Sequence, residues 1–226
     1  MNTSPPAPVA AATAAGRFPP AGVQAVVFDV VGTLVEPWPP VAVAYEQAAL
    51  RHGIACEATT IAARFAAAWR RQEMVDAAAV PAFATSRARE VGRWRAIVAD
   101  VFSDAPQSEA VFAELWEHFA AAAAWRPLAA GSELVHEALR AGTAVVLASN
   151  FDERLLTIAP RIEPLSLAGH VFASSELGWR KPAPEFFREV EARLGHEPGE
   201  LLLVGDDLEL DVAAARRAGW RSLQIG

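Results

Sequence analysis

The chain has one cysteine, Cys56, in 226 residues, and one lysine, Lys181, among 20 basic residues. A lone thiol excludes an intramolecular disulfide framework and a cluster of soft metal ligands. Cys56 reads instead as a small, buried or half-buried apolar residue. Histidine is scarce too, and the five present (His52, His118, His136, His170 and His196) have no metal-ligand spacing to one another, so none is given a role. An excess of positive charge is missing. The formal net charge of −7 supplies no basic field for nucleic acid or an anionic membrane surface. Long apolar runs are also absent, although 53% of the residues are hydrophobic. Much of that share is alanine, and no stretch reaches the length of a membrane span. Residues 1–22 are rich in alanine and proline and have no basic start before an apolar stretch, which argues against a secretory signal. They read as a disordered tail. The expectation is a cytoplasmic protein with neither membrane nor nucleic acid among its partners.

What is present divides into two patterns. Val23 to Phe28 is a short apolar, β-branched run that ends in Asp29 and a Gly-Thr pair, as a buried parallel strand and tight turn would. From Val41 to about Ala124 the chain is helical in character, rich in Ala, Arg and Glu, with breaks near Gly53, Pro81 and Pro106. After Pro127 strands and helices alternate. Strands are expected at Ala144 to Ala148, His170 to Ala173, Leu201 to Val204 and Ser222 to Ile225. Helices are expected at Ser132 to Ala141, after Pro184, and at Leu208 to Ala218. Such alternation implies an α/β fold with a doubly wound parallel sheet. The domain reading is a Rossmann-like core, 23–36 and 128–226, interrupted by an all-helical cap, 37–127.

Three expected strands end in polar residues: Asp29, Ser149-Asn150, and Asp206-Asp207. Open α/β sheets bind ligands outside the carboxyl ends of their strands. An apolar strand has no packing need for a carboxylate at its tip, and two such tips repel each other. A cation between them resolves the conflict, and magnesium prefers oxygen ligands. The alternative is that each Asp merely caps the helix that follows. Lys181 stands out because the remaining 19 basic residues are all arginine. A retained lysine points to a site that needs a compact ammonium.

These residues carry a resemblance. Asp29-Val30-Val31-Gly32-Thr33-Leu34 resembles the first motif of the haloacid dehalogenase-like hydrolases. Ser149 after its strand resembles the second, Lys181-Pro182 before Pro184-Glu185-Phe186-Phe187 the third, and Gly205-Asp206 with Asp211 the fourth. The order and spacing fit from Val23 to Gly226, and the helical block corresponds to the family's early cap. The resemblance implies that Asp29 is a nucleophile forming a covalent aspartyl intermediate, with Thr33 orienting it. It implies that Ser149, Asn150 and Lys181 hold a small anionic substrate. Magnesium would be bound by Asp29, Asp206 and the backbone carbonyl of Val31, with Asp207 and Asp211 completing the shell directly or through water.

The pattern breaks at Val31. Phosphatases of the family carry there a second Asp that protonates the leaving group and then activates water, and general acid–base catalysis typically contributes about 10²–10⁴-fold. Among branches that tolerate the loss, 2-haloacid dehalogenases lack the Gly-Asp metal motif that Gly205-Asp206 supplies here. Phosphonoacetaldehyde hydrolases need a cap lysine, and this cap has none. Ser149-Asn150-Phe151-Asp152 is most similar to the branch named after a rhythmically expressed insect gene product. That branch includes haloacid dehalogenase-like hydrolase domain-containing protein 3.

The expectation is a magnesium-dependent phosphatase that favours acyl or aryl leaving groups. A dehalogenase-type hydrolase and a non-catalytic phospho-ligand or partner-binding protein are the alternatives. Asp152 and Glu36 are the nearest replacement acids, although each also reads as a cap or loop charge. Arg64, Arg70, Arg71, Arg87, Arg89, Arg93 and Arg95 make the cap locally positive, one or two for substrate and the others as a solvated face. Trp69, Trp94 and Trp116 read as packing. The sequence names neither the substrate nor an oligomeric state.

Overall fold

A computed structural model describes residues 18–103 and 105–226. The expected tail therefore lies outside the described residues as far as residue 17, and Phe18 already packs against the core. Five strands form one parallel sheet: β1 (Ala25–Phe28), β4 (Ala144–Ser149), β5 (His170–Ala173), β6 (Leu201–Gly205) and β7 (Arg221–Gln224). Their order is β5-β4-β1-β6-β7, and every neighbouring pair is parallel. β1 and β6 are buried along their whole length, as expected for uninterrupted apolar runs covered on both faces.

Alternation along the strands sends side chains to two separate apolar clusters. Val26, Phe28, Leu147 and Val204 meet Leu134 and Val135 on one face. Val27, Val146 and Leu203 meet Phe186, Phe187 and Trp220 on the other. The covering helices are α5 (Ala129–Arg140) on the first face and α8 (Pro184–Leu194) on the second. The chain leaves β1 for β4 on one side and later returns to β6 on the other, so β1 marks the topological switch point. The register pairs Phe28 with both Leu147 and Val204, bringing the three polar strand tips to one edge.

The helical block comprises α1 (Val41–Arg51), α2 (Ala58–Ala78), α3 (Arg87–Val101) and α4 (Ser108–His118). These share a third apolar cluster centred on Tyr45, Ile61, Ile97 and Phe112. Two short strands at the junction, β2 (Val35–Pro37) and β3 (Trp125–Pro127), pair antiparallel. Three-residue strands with a proline in each leave too short a pattern to be read from the sequence. A second seam joins Ala84 of the α2–α3 loop to Trp179 of the core, with Arg180 N–H donating to Phe83 O at 2.9 Å. After β6 the expected helix begins as a π-helical turn, Leu208–Ala213, before the short α9 (Ala214–Arg217). Such wide turns recur at functional sites, and this one carries Asp211. No helix among the described residues is long and apolar enough to cross a membrane.

Candidate active site

Asp29 follows β1 with its backbone N–H bonded to Val204 O at 2.9 Å. Its carboxylate is buried and accepts a hydrogen bond from the Lys181 ammonium at 2.6 Å. The same ammonium donates to Asp211. Oxygens of Asp29, Asp206 and Asp211 all lie within 4.8 Å of one another. Two glycines make this crowding feasible. Gly32 has φ +88°, and a Cβ there would meet Asp206 Oδ2 at 2.5 Å. A Cβ on Gly205 would collide with the Asp211 carboxylate. Thr33 donates to Asp206 Oδ1 at 2.9 Å, so its hydroxyl orients Asp206 rather than Asp29.

Three carboxylates around one ammonium leave excess negative charge. Burial pushes the Asp29 carboxyl up to about 6; Lys181 opposes the shift, while Asp211 and Asp206 add to it. Burial also raises Asp206. For Lys181 burial disfavours the charge, but Asp29 and Asp211 outweigh it and hold the ammonium above its ordinary value. A hard, oxygen-only set short of positive charge fits a divalent cation such as magnesium.

The other sequence-derived residues divide in two. Ser149 is buried and lines the same cavity as Asp29. Asn150 also lines it, yet its side chain is occupied: Nδ2 donates to Lys181 O at 2.9 Å and Oδ1 accepts from Lys181 N–H at 2.7 Å. Asn150 therefore positions the lysine. Asp207 lies outside the acidic cluster. Its Oδ1 accepts from the N–H groups of Glu209 and Leu210 at 2.8 Å, which is the capping role weighed against metal ligation. Val31, 37% exposed, faces the cavity beside Asp29.

A cavity of about 540 Å³ separates these strand tips from the cap. Trp69, Trp94 and Trp116 help to wall it, so the packing role expected of them is only part of what they do. Most of the cap arginines do lie on a solvated face: Arg64, Arg70, Arg71, Arg87 and Arg95 are exposed, Arg89 is half-buried and only Arg93 is buried. Arg71 pairs with Asp100, Arg87 with Glu176, Arg89 and Arg93 with Asp76, and Arg95 with Glu109.

Two arginines escaped the sequence reading. Arg154 is locked to Asp152, and the buried Arg180 reaches from the core to Glu90 of the cap at 2.7 Å. Their only sequence signal was position: Arg154 ends the run from Ser149, and Arg180 precedes Lys181.

The chain is similar to known proteins over most of its length. The bovine (Bos taurus) haloacid dehalogenase-like hydrolase domain-containing protein 3 is 28% identical, over 88% of this chain and 80% of its own length. A 55-residue stretch, 24% of each chain, is 44% identical to the glyceraldehyde 3-phosphate phosphatase of Methanopyrus kandleri. The structure of the defluorinating L-2-haloacid dehalogenase Rha0230 superposes with a TM-score of 0.70 at 23% identity, covering 88% of this chain and 80% of that one. The profile of the haloacid dehalogenase-like hydrolases matches residues 23–219, and the chain belongs to that family.

Proposed function

We propose that the chain is a magnesium-dependent phosphatase working through a phosphorylated Asp29. The observation that carries this reading is the gathering of Asp206 and Asp211 against Asp29, all oxygens within 4.8 Å. A site that only displaced a halide would have no use for two further carboxylates beside its nucleophile, because they repel the incoming anion. The local likeness to a glyceraldehyde 3-phosphate phosphatase points the same way.

Asp29, Asp206, Asp211 and the Val31 carbonyl would hold magnesium, which when bound supplies positive charge to the phosphoryl oxygens. Asp29 attacks phosphorus, and the bond from phosphorus to the leaving oxygen breaks. Lys181, fixed by Asn150, keeps a full positive charge beside the oxygens that gain negative character. Ser149 donates to the same group. Water then cleaves the aspartyl-phosphate, releasing phosphate and restoring Asp29.

Val31 has no proton to give, so the leaving oxygen departs with its electron pair and charge. Acyl and aryl phosphates tolerate that; simple alkyl phosphates do not. Val31 also favours a second reading, halide displacement, since a halide leaves without a proton. Phosphate release from acetyl phosphate and p-nitrophenyl phosphate, with and without magnesium, decides between them. Metal-dependent turnover that Asp29→Asn abolishes is expected. Halide release from 2-haloacids without metal, and no phosphate release, would replace the phosphatase reading.

A further inference from the structure

We infer that the substrate is an aromatic phosphate: a single phosphoryl group on an aromatic acid or phenol whose ring lies against the cap tryptophans. This rests on the phosphatase reading and narrows its substrate class. The cavity above Asp29 holds about 540 Å³, within the range of pockets that enclose whole small molecules. An acetyl group would leave most of that volume to water lying against aromatic faces.

The walls are aromatic, built from rings that also pack against the apolar cluster of the cap. Phe65, Trp69 and Trp94 form a chain of ring contacts, with centroids 6.1 and 5.7 Å apart, and all three line the cavity. Opposite them Phe112 and Trp116 approach at 5.7 Å, and Phe119 continues the lining towards the hinge. These rings are only partly buried except Phe112 and all line the cavity, with Arg93 covering one face of Trp69 and Arg154 one face of Trp116. Rings at such spacings accept another ring in offset or edge-on contact.

Two arginines on the walls have carboxylate partners, although Nε and Nη2 of Arg180 lack a hydrogen bond, and the exposed Arg70 also lines the cavity. Arg154 is tied to both oxygens of Asp152 and to Trp116 O. Arg180 faces Glu90, with Glu73 and Asp76 at 3.6 and 3.7 Å. The phosphoryl group would sit at the end of the cavity held by Lys181 and Ser149. An aromatic acyl phosphate meets every condition. Asp29 takes the phosphoryl group, the phosphorus–oxygen bond breaks, and the aromatic carboxylate leaves with the electron pair. No proton is required, in keeping with Val31.

Benzoyl phosphate and acetyl phosphate present similar leaving carboxylates but differ in the ring, so their comparison isolates the cavity. With magnesium present, kcat/KM for benzoyl phosphate should exceed that for acetyl phosphate by about tenfold or more, the worth of burying a ring. That ratio should collapse towards unity in Trp69→Leu and Trp94→Leu. Hydrolysis of acetyl phosphate with no preference for the ring would overturn the inference and leave the phosphatase reading standing.

If neither compound turns over, the phosphatase reading fails, and binding still tests the cavity. Quenching of tryptophan fluorescence should show phenylphosphonate binding about tenfold tighter than methylphosphonate. Equal affinities would overturn the inference in that case too.

Discussion

The guanidinium of Arg154 grips both oxygens of Asp152, Nε to Oδ1 and Nη2 to Oδ2, each at 2.7 Å. Its remaining nitrogen, Nη1, donates to Trp116 O at 3.0 Å, and the group stacks 3.6 Å above the Trp116 ring. Asp152 is thereby committed to joining a strand tip of the core to the cap. Glu36, the other acid near the motifs, is paired with Arg126 across the hinge strands. Neither is free to replace the acid missing at Val31. Asp152→Asn should leave Arg154 buried without its countercharge and cost about 3–5 kcal/mol, read from urea unfolding. The dependence of rate on leaving-group basicity should match wild type. A steeper dependence in the variant would make Asp152 the proton donor after all.

Position 31 itself can be tested by gain of function. Val31 lies on the cavity wall two residues beyond the nucleophile. Val31→Asp places a carboxyl where it can protonate a departing alkoxide. Turnover of simple alkyl phosphates should rise at least about tenfold, the lower part of what general acid catalysis supplies. Acyl phosphates should gain less, because their leaving group needs no proton and only activation of the attacking water is restored. Unchanged alkyl turnover would show that side chains at 31 do not reach the leaving oxygen.

The core of this fold was legible because its signals are local. An apolar run such as Leu201 to Val204 ending in Gly205-Asp206 declares both a buried strand and its functional tip. Asp29, Lys181, Asp206 and Asp211 could be listed together from their motifs, and they converge in space. What escaped depends on partners distant in sequence. Phe65 and Trp69, like Phe112 and Trp116, stand four apart on their helices, a spacing that serves a core stripe and a cavity wall equally well. Only the gap between cap and sheet decides which. Asp207 shows the same ambiguity on a smaller scale: a carboxylate beside Asp206 reads equally as a ligand and as a cap, and the backbone of the π-helical turn engages its Oδ1.

Proton and magnesium should compete for Asp29. Burial and the neighbouring carboxylates push its carboxyl up to about 6, so near that pH an entering cation displaces a proton. Magnesium affinity should therefore climb between about pH 5 and 7, by up to about tenfold per unit, and flatten above. For the metal-free fold the sign is opposite to that of an ordinary ion-paired Asp. The folded value lies above the unfolded 3.8, so ionisation disfavours the folded state, and stability falls as pH rises from about 4 to about 6. Magnesium should cancel that fall. Calorimetric titration in two buffers of different ionisation heat reads the released proton directly. A pH-independent affinity would mean that Asp29 is already ionised without metal.

The residue before the site lysine ties the core to the cap. Arg180 is only 2% exposed and meets Glu90 of α3 at 2.7 Å, while Arg89 and Arg93 pair with Asp76 nearby. Three guanidiniums thus face three carboxylates, counting Glu73, which pairs with Arg93. Removing one charge leaves the group unbalanced inside the protein. Glu90→Gln should lower stability by about 3–5 kcal/mol. Because Arg180 adjoins Lys181, the variant should also raise KM as the cap seam loosens. Arg180→Met with Glu90→Leu removes the pair as a unit and should recover most of the stability, since a buried ion pair is replaceable by apolar side chains. If KM stays high in that double variant while stability returns, the pair serves to hold the cap over Lys181. Full recovery of both would reduce it to packing, and the double-mutant cycle separates the two outcomes.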